Sequence, residues 1–78
     1  MKEEDCLLLR NRVKELRARF GYSQTDLADL VGVTRQTIAA IEKGDYVPSL
    51  LLGMTICKVF NLPMEEVFWL EVQEGEKK

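Results

Sequence analysis

The stretch Gln24-Thr25-Asp26-Leu27-Ala28-Asp29-Leu30-Val31-Gly32-Val33-Thr34-Arg35-Gln36-Thr37-Ile38-Ala39-Ala40-Ile41-Glu42 decides how this chain folds. Two short helices that cross over a tight turn need a small residue where they approach and a left-handed residue where the first one stops. Ala28 meets the first need. Gly32, directly after Val31, meets the second, because only glycine enters that backbone region cheaply. Val33 fills the turn. Leu27 and Val31 at i, i+4, with Leu30 between them, form one buried stripe, and Ile38 with Ile41 at i, i+3 forms the facing one. Thr34 is the expected N-cap of the second helix, which turns Arg35, Gln36, Thr37, Ala40 and Lys43 away from the seam and leaves Ala39 nearer its edge. The pattern is a helix-turn-helix over residues 24–43, with a recognition helix at about 34–43. An arginine can fork onto guanine O6 and N7, and a glutamine can pair with adenine N6 and N7, once the opening of such a helix enters a major groove. DNA binding is therefore the leading expectation.

The order Gln-x3-Ala-x3-Gly-Val-x4-Ile-x2-Ile-Glu, from Gln24 to Glu42, resembles the phage repressor and Cro-type (xenobiotic-response-element) family of regulators. The resemblance covers nearly the whole chain. Val13-Lys14-Glu15-Leu16-Arg17 looks like that family's first helix, and Pro48-Ser49-Leu50, Ile56-Cys57-Lys58-Val59-Phe60 and Glu65-Glu66-Val67-Phe68 look like its fourth and fifth. It implies a mainly α, five-helix lambda-repressor-like DNA-binding domain. It also implies that Gln24 touches a phosphate and braces the recognition helix, that Arg35, Gln36 and Ala40 face the bases, and that Arg17 and Glu42 form a structural ion pair. Ser23, Thr34, Thr37 and Lys43 complete the expected DNA-contacting set. Two positions depart from the family pattern: Ala40 offers only a contact to a thymine methyl, and Asp45 stands in a loop where relatives often place a basic residue.

Length and composition agree with a small binding module. A chain of 78 residues makes one domain, and so small a core is marginally stable alone, which makes oligomerisation a natural remedy. No run approaches the roughly 20 apolar residues of a membrane span, and no basic-then-apolar leader opens the chain, so the cytoplasm is the expected location. Without histidine, and with only Cys6 and Cys57, neither a zinc cluster nor a His-based nucleophile can be assembled; no metal, cofactor or enzymatic activity is expected. The cysteines read as small buried hydrophobes, and a thiol-switched sensor would require Cys6 and Cys57 to come close. The 11 Lys and Arg against 13 Asp and Glu give a net charge of −2, whereas nucleic-acid binders are often basic. Distribution softens that objection: Arg10, Arg12, Lys14, Arg17 and Arg19 crowd the first helix against Glu15 alone, while Glu65, Glu66, Glu71, Glu74 and Glu76 gather at the far end.

Turn signals divide the rest. Asn11 is read as the cap of a first helix running to about Phe20, with Val13, Leu16 and Phe20 as its buried stripe and Gly21-Tyr22 as its stop. Ser23 caps the second helix and Gly44 ends the recognition helix. Pro48-Ser49 opens a fourth helix whose expected core face is Leu50, Gly53, Ile56, Cys57 and Phe60; Asn61-Leu62-Pro63 stops it, and Met64 to Phe68 makes a last helical turn or two. Cys6–Leu9 and Phe68–Val72 suit a pleated surface and would form a small antiparallel two-stranded sheet, the competing reading being a first helix extended back to near Asp5. Gly75–Lys78 should fray. Leu51 and Met54 fall on the Thr55 and Lys58 side of the fourth helix. With Phe68, Trp69, Leu70 and Val72 they suggest a dimerisation surface centred on about 64–73. The resulting reading is a sequence-specific regulator of transcription, a repressor that binds a palindromic operator in double-stranded DNA as a homodimer and blocks polymerase. Its rival is a protein-interaction module on the same scaffold, an antagonist or antitoxin-like protein: Asp45, Ala40 and the negative total favour it, and Arg35-Gln36 oppose it.

Overall fold

The leucines near the N-terminus form a strand, not the start of a helix. The computed structural model describes residues 6–73, in the order β1 (Cys6–Asn11), α1 (Val13–Phe20), α2 (Gln24–Val31), α3 (Arg35–Lys43), α4 (Leu50–Phe60), α5 (Met64–Val67) and β2 (Phe68–Gln73). The helix start near Asp5, the fraying of Gly75–Lys78, the glutamates Glu74 and Glu76, and the side chain of Cys6 lie outside the described residues. β1 pairs antiparallel with β2, setting Leu7 opposite Val72, Leu9 opposite Leu70 and Asn11 opposite Phe68. Directly opposed residues share a face, so Leu7, Leu9, Leu70 and Val72 lie on the same side of the ribbon as Phe68. A helix would have scattered the leucines around its axis; the strand gathers alternate ones onto the core side.

Phe68 corrects the expected dimer surface. It is 5% exposed and anchors the ribbon in the core. Asn11 corrects the expected start of α1, which begins at Val13. From the last position of β1, Asn11 Oδ1 accepts from Val13 N at 3.0 Å while its Nδ2 donates to Ile41 O at 3.1 Å. The N-cap of α1 is Arg12, without a side-chain cap bond; the Asn11 amide, one residue earlier, holds the first N–H of the helix and ties the ribbon to α3.

The other helix starts follow the sequence closely. Ser23 and Asp26 form a reciprocal capping box, and the hydroxyls of Thr34 and Ser49 accept from Thr37 N and Leu52 N. At the turn, Gly32 adopts φ +81°, and the N–H groups of Gly32 and Val33 both donate to Ala28 O, at 2.8 and 3.0 Å. The core joins Val13 and Leu16 of α1, Leu27 and Ala28 of α2, Ile38 and Ile41 of α3, Leu52, Ile56, Cys57 and Phe60 of α4, and Val67 and Phe68. Three expected core residues lie outside it. Leu30 is exposed, its place beside Leu27 being taken by Ala28. Phe20 is half-exposed and meets Phe60 edge-on at 5.2 Å between ring centroids. Leu50 is exposed and Leu52 is buried instead, because the inner face of α4 is centred on Ile56 and Phe60, and at about 100° per residue Leu52 falls nearer that centre than Leu50. Among the described residues no helix is long and apolar enough to cross a membrane.

The double role of Asn11 has a measurable consequence. Asn11→Ala removes two part-buried hydrogen bonds and should lower stability by about 1–2 kcal/mol in urea unfolding, with the slope of the transition unchanged.

Candidate nucleic-acid interface

α3 is held by one face and offers the other. Ile38 and Ile41 are 0% and 1% exposed. Arg35, Gln36 and Lys43 stand in solvent, and Thr37, Ala39 and Ala40 are half-buried along the outer side. The hydroxyl of Thr34 accepts from Thr37 N at 3.2 Å and lies 3.0 Å from the Thr37 hydroxyl, so these two residues are fixed by the helix start itself. Ser23 is fixed likewise, accepting from Asp26 N at 2.9 Å at the head of α2. These helix openings carry unpaired N–H groups and the positive ends of their dipoles, the usual backbone device for a phosphate.

The structure brings Arg17, Glu42, Gln24 and Arg35 into one chain of hydrogen bonds. Arg17 Nε donates to Glu42 Oε2 at 2.7 Å and its Nη2 donates to Oε1 at 3.3 Å, a two-pronged pair whose side chains are only 14% and 5% exposed. The remaining Arg17 nitrogen, Nη1, donates to Tyr22 O at 2.9 Å, which also ties down the α1–α2 connection. Gln24 Nε2 donates to Glu42 Oε1 at 3.1 Å, and Gln24 Oε1 accepts from Arg35 Nη1 at 3.4 Å. Gln24 therefore bridges the head of α2 to both ends of α3. Sequence reasoning paired Arg17 with Glu42 through the family resemblance. The same resemblance implied that Gln24 braces the recognition helix, without naming Arg35 or Glu42 as its partners, and there was no signal for the Tyr22 carbonyl or the Asn11 tie, which depend on tertiary position.

The remaining basic residues are less free than the sequence suggests. Arg10 lies 3.3 Å from Glu71, Arg12 3.8 Å from Glu66 and Arg19 2.7 Å from Glu15, and Lys43 has Asp45 at 3.8 Å. Such exposed pairs add little stability, but each places a negative charge beside the positive one. Arg35 meets an amide oxygen instead, which leaves its charge uncompensated.

The candidate interface residues divide between two surfaces. Leu51, Met54, Leu70 and Val72 are 77%, 56%, 62% and 58% exposed, and Leu50 joins them at 72%. Leu50 and Met64 line both an open apolar groove with Met54, Cys57 and Leu62 and a second hollow with Leu9, Gly53 and Phe68, so apolar surface runs from α4 onto the ribbon. Trp69 does not belong to it. Strand alternation puts Trp69 on the opposite ribbon face, with Arg10 and Glu71, where it borders a hollow lined by Lys14, Glu15 and Ala18. Cys57 is buried with its Sγ 3.8 Å from Met64 Sδ, and burial pushes its thiol up despite an opposing backbone hydrogen bond. That environment suits a packed, protonated thiol.

Residues 13–67 match the model of the family described as Helix-turn-helix. Over 63 residues the chain is 73% identical to the HTH-type transcriptional regulator YgzD of Bacillus subtilis, an overlap that covers 81% of this chain and 96% of that one. It is 47% identical over 66 residues to an HTH-type transcriptional regulator of Archaeoglobus fulgidus, covering 85% and 93%. The restriction-modification controller protein C.AhdI from Aeromonas hydrophila has a similar solved structure, with a TM-score of 0.65 and 30% identity over 69% of this chain and 82% of that one.

Because the Glu42 carboxylate is almost sequestered, its pairing should be strongly coupled. Arg17→Met or Glu42→Gln alone should cost about 3 kcal/mol, and the double variant much less than the sum. A thermodynamic cycle built from denaturant unfolding of the three variants measures the difference; additivity would remove the structural role.

Proposed function

This chain belongs to the helix-turn-helix family of DNA-binding transcriptional regulators, and from that we propose that it is a repressor that binds a palindromic operator as a homodimer. One observation carries the base-reading part: Arg35 and Gln36 project from the opening of α3 while Ile38 and Ile41 lock its other face. In this reading Arg35 takes a guanine, Gln36 an adenine, and Ala40 a thymine methyl. Ser23, Gln24, Thr34 and Thr37 position phosphates at the two helix openings, and Lys43 meets a phosphate at the far end of α3, with Asp45 tempering its charge. The site of action is the cytoplasm, where two recognition helices enter successive major grooves and the bound dimer blocks polymerase.

The dimer reading is supported by the exposed apolar side chains of Leu50, Leu51 and Met54 on α4 and of Leu70 and Val72 on β2. A twofold axis through that surface would present the same patch on both subunits and generate two equivalent half-sites.

In vitro selection from a random duplex pool tests the function directly: a symmetric enriched motif is expected, and failure to enrich any motif would overturn it. Within the selected site, Arg35→Ala or Gln36→Ala should each cost about 1–3 kcal/mol and relax one position. Lys43→Ala should weaken all sequences alike and lower the salt slope by about one unit. Assembly is checked separately by sedimentation at micromolar protein: the unmodified chain should be dimeric and Met54→Glu should shift it towards monomer.

A further inference from the structure

The Glu42 carboxylate is far too enclosed to meet DNA, yet it sits two hydrogen bonds away from the exposed arginine at the opening of α3. A carboxylate only accepts, and Oε1 of Glu42 stands 3.1 Å from the side-chain nitrogen of Gln24. The Gln24 amide consequently has one orientation: NH2 inward to the carboxylate, oxygen outward. A guanidinium only donates, so it is this outward oxygen that can receive Arg35 Nη1, at 3.4 Å. With Nη1 held, the parallel donors on Nε and Nη2 remain free as a fork, the arrangement that matches the N7 and O6 acceptors on the major-groove edge of guanine. The reverse amide orientation would set donor against donor and release the fork.

We infer that Glu42 is a positioning residue for base reading: by fixing the Gln24 amide it aims Arg35 at a guanine. The inference rests on the DNA-reading function proposed above and adds to it a specificity determinant that never touches the nucleic acid. Arg17 is the counterion that holds the Glu42 carboxylate in its orientation. Gln24 transmits the constraint, and Arg35 expresses it.

The test uses the full chain and a set of duplexes that differ at one base pair of the selected site, the position whose preference disappears in Arg35→Ala. The readout is the ratio of affinities for guanine and for the other bases there, which is independent of how much of each variant is folded. The unmodified protein should favour guanine by roughly 10-fold or more. Glu42→Gln frees the amide and should reduce the ratio to about 2 or below, and Gln24→Ala should do the same, with the double variant losing nothing further. Preferences at the position assigned to Gln36 should persist in all of them. Asn11→Ala loosens α3 without touching the Gln24 amide and should leave the ratio intact. A full ratio in Glu42→Gln, or an equal loss in Asn11→Ala, overturns the inference and leaves the DNA-reading function standing. If the unmodified protein enriches no duplex at all, the function itself falls, and the inference with it.

Discussion

A single buried carboxylate sets the relation between the helices that hold this protein together and the helix proposed to read DNA. Glu42 lies at the C-terminal end of α3 with its side chain nearly closed off from water, a location that is tolerable only because Arg17 supplies two donors and Gln24 a third. Satisfying that charge fixes α1 against α3, the head of α2 against α3, and the connection at Tyr22, whose carbonyl takes the last Arg17 nitrogen. Apolar packing of Leu16, Leu27, Ile38 and Ile41 supplies most of the driving force, but it is non-directional. The ion pair and its amide select one arrangement from those that such a core would accept.

The same economy explains how an acidic chain serves a DNA-binding family. Net charge governs long-range attraction, whereas a complex is held by the few cations that reach the phosphates and bases. Arg10, Arg12 and Arg19 each have a carboxylate nearby, so their charges count for little outside the molecule. Arg35 keeps its full charge because its partner is an amide oxygen. Three of the acidic residues, Glu65, Glu66 and Glu71, belong to α5 and β2 and not to the helix-turn-helix.

The motif was legible because its constraints are local. Ala28, Gly32 and Thr34 are specified by backbone geometry over a few residues, and the caps at Ser23 and Ser49 follow from their own hydroxyls. The paired strands were legible too, as short apolar segments at opposite ends of the chain that suit a pleated surface. What local pattern could not settle was phase and partnership. Leu50 and Leu52 both fit an apolar stripe containing Ile56 and Phe60, and the packing of α4 against α2 and α5 decides between them. Phe68 and Trp69 are adjacent aromatics, yet the strand pleat sends one into the core and the other to the opposite face beside α1. Asn11 reads from the sequence as the cap of α1, but that position is Arg12; Asn11 ends β1 one residue earlier and still accepts from Val13 N. Its bond to Ile41 joins residues 30 apart and leaves no local trace.

The ribbon gives the small core its remaining closure and exposes its remaining problem. Through Phe68, Leu9 and the Asn11 tie it covers one end of the helical cluster and fastens both flanks of the chain to α3 and α4. Beyond that point the strands continue without a layer beneath them, and Leu7, Leu70 and Val72 stand exposed on the face whose inner part is packed. Leu50 and Met54 extend the exposed surface along α4. In the proposed dimer these groups would acquire the second layer that two-stranded ribbons otherwise lack. Folding and assembly would then be linked through mass action, with the apparent stability of each subunit rising with protein concentration. The apolar surface continues from α4 to β2, and Phe68 and Asn11 connect β2 and β1 to the core and to α3.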